Sequence, residues 1–248
     1  MPVDFDIALL VGGTFFLAGL IKGLVGVGLP TVALGLLTTA FGITQAIAIL
    51  LVPAILTNVA QAFGGRDTKR VAARFWPMLL PVCIGVWFGT GVLARTTSDL
   101  PAAMLGFLIA LHSAISLMKP DLPSPARHER WLSPLVGLVN GTITGFTGSS
   151  VIPGLMYLQA LGLKKEELVQ AMGMLFGLSS LILFVAFARY ELVDRQTAMI
   201  SAGALVPAFA GMAAGRAIRL RISEDRFRRW LLFALLLLGL HVMLRALA

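Results

Sequence analysis

Residues 131–163 form a run of 33 positions without a charge, bounded by Arg130 and Lys164. Its length suits no simple membrane element. One span takes about 20 apolar residues, and two spans with a turn take more than about 40. The centre of the run, 141–153, is dense in Gly, Thr and Ser and closes on Pro153, a composition that does not sustain a helix. The stretch is expected to enter a bilayer as a helix, break near its middle and return to the side it came from. Broken backbone at that depth survives only where protein encloses it or where it lines a watery cavity. The break is therefore a candidate site.

Composition sets the class. Of 248 residues, 58% are hydrophobic and 13% charged, whereas soluble domains carry about 25% charged residues. An all-α integral membrane protein follows. The net charge of +8 sits mainly in short loops, where Lys and Arg set orientation, so no nucleic-acid partner is expected. Cys83 is the one cysteine, which excludes an intrachain disulfide and a cysteine-based metal site. No cofactor, no metal and no enzymatic activity are expected. The opening residues MPVDFDIALL are acidic, where a cleavable signal would be basic.

The first half of the chain holds a second broken stretch. Residues 7–65 contain a single charge, Lys22. Within them Gly26-Val27-Gly28-Leu29-Pro30 reads as a break, with Pro30 placed in the first turn of the returning helix, where its missing N–H costs nothing. The predicted order is a hairpin over 5–42 and helices over 44–63, 75–94 and 100–118, together repeat 1 over 1–118. A linker over 119–130 follows. Repeat 2 has a hairpin over 131–163 and helices over 168–188, 196–215 and 230–247. Short matches support the duplication: GLIKG at 19–23 with GLVNG at 137–141, FGIT at 41–44 with LGLK at 161–164, and Pro81 and Gly85 with Pro207 and Gly211. The first match pairs Lys22 with Asn140.

Loop charge orients the halves. The basic loops 64–74, 119–130 and 216–229 are expected in the cytoplasm, and the nearly neutral loops 95–100 and 189–195 outside. Equivalent loops then lie on opposite sides, so the repeats are expected to be inverted. The arm from Ser150 to Leu163 would reach only about 21 Å at 1.5 Å per residue, short of a hydrocarbon core of about 30 Å. The expectation is six spanning helices plus two re-entrant hairpins, with both termini outside.

Inverted repeats with broken helices meeting near the bilayer midplane describe a secondary transporter. The two tips are rich in hydrogen-bond donors. Gly26, Gly28, Gly145 and Gly148 leave backbone amides open, Pro30 and Thr31 begin one returning helix, and Thr144, Thr147, Ser149 and Ser150 carry hydroxyls. Lys22 and the amides Asn140 and Asn58 complete the candidate substrate site, while His112 and His241 are candidates for a proton path. This donor set suits a small oxyanion. Small residues in membrane helices also serve as packing surfaces, and Lys22 could snorkel to a surface.

GLIKGLVGVGLPTVALGLL, GLVNGTITGFTGSSVIPGLMYLQALGL and the duplication itself resemble the TauE/SafE sulfite exporter family of membrane permeases, over essentially the whole chain. That resemblance implies transport of sulfite, organosulfonates or related anions across the bacterial inner membrane by a multi-pass protein. The expected partners are a small anionic substrate and the lipid bilayer; a homo-oligomer is compatible with the sequence and not required by it. Two alternatives stand beside the transporter: an intramembrane hydrolase using Ser149 or Ser150 with His112 or His241, and an anion channel on the same fold.

Overall fold

The computed structural model describes residues 5–65, 67–118, 124–219 and 223–248. Arg66, Arg221 and the first part of the expected linker, 119–123, lie outside the described residues. Among those described, the chain forms α1 Phe5–Val25, α2 Leu29–Phe41, α3 Ile43–Phe63, α4 Thr68–Leu93, α5 Leu100–Met118, α6 Glu129–Thr147, α7 Met156–Ala160, α8 Lys165–Arg189, α9 Arg195–Gly203, α10 Leu205–Arg219 and α11 Glu224–Leu247.

Seven helical stretches among the described residues are long and apolar enough to cross a membrane. Six of them correspond to the expected spans. The seventh is α1, the outgoing arm of the first broken stretch; its 21 residues would reach about 31 Å, so length does not confine it to part of the bilayer. The short arms are the returning ones, α2 with 13 residues and the apolar segment Val151–Ala160.

Helices run further into the basic segments than expected. Helix α4 begins at Thr68 and α11 at Glu224, so Lys69, Arg70 and Arg74 are helical and not in a loop. Charge marks where a helix leaves the bilayer, and it does not end the helix, because Lys and Arg are good helix formers. The stretch 195–219 is divided at Ala204 into α9 and α10.

The chain divides into two compact units. Unit 1 is Met1–Pro53, Ser98–Lys119 and Val193–Ala248; unit 2 is Ala54–Thr97 and Pro120–Leu192. Each takes helices from both halves of the sequence. In unit 1, α1 packs along α10 and α5 along α11; in unit 2, α4 packs along α6 and α8.

Glycine brings these backbones together. In unit 1 a methyl group on Gly19 would collide with the Ala208 carbonyl oxygen, one on Gly23 with Met212, one on Gly211 with Phe16, and one on Gly215 with Leu20. In unit 2 the collisions are Gly141 on Val82, Gly145 on Val86, Gly85 on Leu138 and Gly89 on Thr142. These are small-residue seams, the usual means of close helix approach in membranes.

The two seams share one register. A shift of 122 positions carries Phe16, Gly19, Leu20 and Gly23 onto Leu138, Gly141, Thr142 and Gly145, while one of 126 carries Val82, Gly85, Val86 and Gly89 onto Ala208, Gly211, Met212 and Gly215. Helix ends agree with it. Gly26 N–H donates to the Lys22 carbonyl at 2.8 Å, and Gly148 N–H to the Thr144 carbonyl at 2.7 Å. In this register Lys22 corresponds to Thr144 and not to Asn140. The GLIKG–GLVNG match is displaced by one helical turn because Gly137, Gly141 and Gly145 recur every fourth residue along one face of α6.

Candidate functional site

The broken stretch of unit 2 is built from α6 and the segment that follows it. Helix α6 ends at Thr147, and Gly148 takes φ 75°, a left-handed conformation that glycine adopts without steric cost. The chain then runs back along α6. Gly154 N–H donates to Asn140 Oδ1 at 2.9 Å; Tyr157 Oη lies 2.9 Å from Ser133 Oγ and donates to the Glu129 carbonyl at 3.4 Å. Later residues thus meet progressively earlier positions of α6.

The returning arm is less regular than expected. Ile152 is extended, at φ −120° and ψ 129°, as residues before proline commonly are, and the Ile152–Pro153 peptide is cis. Regular α-helix resumes only at Met156 and ends at Ala160. The returning arm, taken above at helical rise from Ser150, is therefore corrected. Side chains, not a helix dipole, supply the polarity here.

Proton accounting separates the tip hydroxyls. Thr147 Oγ1 donates to the Ile143 carbonyl at 2.8 Å and accepts from Ser149 N–H at 3.2 Å. Thr144 Oγ1 donates to the Asn140 carbonyl at 2.7 Å and lies 2.7 Å from Ser150 Oγ. A hydroxyl has one proton, so when Thr144 gives its own to the helix, Ser150 gives its own to Thr144. Two buried donors are left over. Ser149 Oγ and Asn140 Nδ2 have no hydrogen-bond partner, although Ser149 is 2% exposed and Asn140 is fully buried. Gly145 and Gly148 are buried in the same turn.

The broken stretch of unit 1 is simpler. Helix α1 ends at Val25, and α2 begins at Leu29 after Gly28, at φ 110°, with Pro30 in its first turn as expected. Gly28 provides no side-chain cap. Thr31 and Lys22 are buried. Lys22 occupies the last turn of α1 and interacts electrostatically with Arg216, in the last turn of α10. Arg216 escaped the sequence reading because it stands first in a basic run whose loop position explained it sufficiently.

The remaining candidates lie elsewhere. Asn58 is buried on α3, against Gly177 of α8 in unit 2. His112 lies on α5 with Nδ1 enclosed and without a hydrogen bond, and His241 is on an exposed face of α11. Among the described residues no group of His, Cys, Asp and Glu has the make-up of a metal site.

Apolar helices of spanning length, two broken stretches and uncommitted buried donors at one break define a multi-pass membrane protein of the kind that moves solutes. The sequence matches the sulfite exporter TauE/SafE family over residues 11–242, and the chain belongs to that family of membrane transporters. No curated protein and no solved structure matches it.

Proposed function

We propose that this protein is a secondary transporter of small sulfur-containing anions, such as sulfite or organosulfonates, working by alternating access in the bacterial inner membrane. The observation that carries the reading is the pair of unsatisfied buried donors at the unit 2 break, Ser149 Oγ and Asn140 Nδ2. A buried polar group without a partner costs free energy, and an oxyanion arriving there would supply the missing acceptors. The buried Lys22 at the unit 1 break is a second candidate for binding an anion, within its own unit. The common register of the two glycine seams supports a duplicated chain, and the distribution of basic loops supports inverted repeats with both termini in the periplasm. Ser149 Oγ has no hydrogen-bonded base, which suits a ligand donor better than an activated nucleophile.

The test is uptake of radiolabelled sulfite into proteoliposomes. Ser149→Ala and Lys22→Ala are each expected to lower uptake at least about tenfold, the factor that corresponds to about 1.4 kcal/mol of lost binding or transition-state stabilisation. Wild-type protein that moves neither sulfite nor any organosulfonate would overturn the substrate assignment. Unchanged uptake in both variants would remove the two breaks from the site.

A further inference from the structure

Outside the breaks, unit 2 contains an ion cluster that the sequence did not reveal. Arg74 of α4 grips Glu129 at the start of α6 through two bonds, Nε to Oε1 at 2.9 Å and Nη2 to Oε2 at 2.8 Å. Its third donor, Nη1, reaches Glu167 in the first turn of α8 at 3.0 Å. Arg70 approaches Glu167 at 3.9 Å, and the Arg74 guanidinium lies 5.2 Å from the centre of the Phe75 ring. The carboxylate side chains are only 19% and 13% exposed. Beside the cluster, Gln61 Nε2 donates to the Val169 carbonyl at 3.1 Å, and Gln170 Nε2 to the Ala62 carbonyl at 3.2 Å and to Thr68 Oγ1 at 3.0 Å. One end of α3, α4, α6 and α8 is thus laced shut by charged and amide side chains.

The register derived above says what stands at the corresponding positions of unit 1. A shift of 122 takes Glu129 to Ile7; a shift of 126 takes Arg74 to Ile200 and Arg70 to Gln196. The paired turns at Gly42 and Gly162, both at positive φ, give a shift of 120 that takes Glu167 to Ile47. Every member of the cluster has lost its charge. Ile7, Gln196 and Ile200 line two cavities of unit 1, of about 510 Å³ and 450 Å³. The smaller is also lined by Gln45, Asp194 and Thr197, so its wall is partly polar. Gln45 Nε2 donates to Thr197 Oγ1 at 2.9 Å, a bond between two neutral side chains. One set of equivalent positions is tied by charge, and the other lines cavities.

Resting on the transport reading above, we infer that Arg74, Glu129 and Glu167 are gating residues. Their cluster shuts the cytoplasmic approach to the unit 2 break, while the Ile7–Gln196–Ile200 cavity is its open counterpart within unit 1. The seam between α4 and α6 is fixed by backbone contact at Gly85, Gly89, Gly141 and Gly145 and does not depend on the cluster. The movable part is the first turns of α8, held to α4 through Glu167 and Gln170 and to α3 through both glutamines, ahead of the close backbone contact that Gly173 makes with Ala62 of α3. Charge-assisted bidentate bonds that are partly exposed suit this task, because water can replace them when the gate opens.

Thiol accessibility tests the gate without reference to any substrate. In a Cys83→Ser background, Ser149→Cys places a reporter at the break, and a membrane-impermeant maleimide is applied to each face of oriented vesicles. With the cluster intact, labelling from the cytoplasmic face should be slow. Arg74→Gln, and more mildly Glu167→Gln, should raise that rate about tenfold, the population shift expected when one state loses its charge-assisted bonds. Arg74→Lys should keep most of the protection. Cytoplasmic labelling that stays within about twofold of the parent in both Arg74→Gln and Glu167→Gln, with monodisperse elution of either variant, overturns the gate. Labelling changes as described, together with wild-type protein that moves no sulfite in the separate uptake assay, would retain the gate and reject only the substrate.

Discussion

Asn140 should be the most costly polar side chain to remove from the unit 2 break. Its Oδ1 accepts the Gly154 N–H at 2.9 Å, the residue is fully buried, and the bond ties the irregular returning arm to α6. Asn140→Ala leaves a buried backbone donor without its acceptor, a loss of about 1–3 kcal/mol. Truncation opens space beside Gly154 and adds about 1 kcal/mol. At about 2–4 °C per kcal/mol for a chain of this size, the midpoint of thermal unfolding in detergent, measured without ligand, should fall by about 4–16 °C. Asn140→Asp, protonated at low pH, keeps an acceptor and should lose less there than at pH 8. Thr142→Ala is the control. Its hydroxyl donates to the Leu138 carbonyl at 3.0 Å from an exposed position, and its removal should stay within about 0.5 kcal/mol. If Asn140→Ala unfolds within about 1 °C of the parent, the amide does not brace the break.

Ser149→Ala should leave the unfolding midpoint within about 2 °C, since its Oγ makes no hydrogen bond, while abolishing the stabilisation that millimolar sulfite gives the parent. Gly141→Val and Gly19→Val place a branched side chain against the Val82 and Ala208 carbonyls; each should cost about 1–3 kcal/mol by overpacking, read as a lower midpoint and a smaller monodisperse fraction. Asp194 caps α9, and its bonds to the Thr197 side chain and backbone N–H hold its carboxyl below the usual range. A depressed native pKa contributes stability above the ordinary Asp value of about 3.9 that is lost as pH falls through the native value. Acidification from pH 5 to pH 3 should therefore lower the midpoint less in Asp194→Asn than in the parent.

Local chemistry was legible in the sequence, and long-range chemistry was not. The breaks after Val25 and Thr147 follow from Gly26, Gly28, Pro30 and Gly148, whose conformational preferences act within a few residues. The start of α4 was misread because Lys69, Arg70 and Arg74 resemble a loop when charge alone is followed, although their helix propensity is high. Lys22 was matched to Asn140 because a four-residue glycine repeat aligns equally well one turn away; only carbonyl contacts from a second helix fix the register. Arg74, Glu129 and Glu167 carry no mutual signal at all. They stand on three separate helices, and each alone looks like an ordinary charge at a membrane edge.

The contrast between the seams and the cluster limits how such a chain can move. Where a carbonyl rests against a glycine, sliding by less than a full helical turn drives backbone into backbone, so α1 with α10 and α4 with α6 behave as fixed pairs. The first turns of α8 are different, although Gly173 further along the helix packs against the backbone of Ala62 in α3. The side-chain ties of α8 to neighbouring helices gather at its first turns, through Glu167 and Gln170, and side-chain bonds of this kind can be exchanged for water. A conformational cycle that keeps both seams and breaks only the ties of α8 preserves most of the buried apolar contact, whereas one that shears a seam gives up packing that nothing else replaces. Disulfides across a seam should then leave transport intact, while one joining the start of α8 to α4 should stop it; the opposite pattern would assign the movement to the seams.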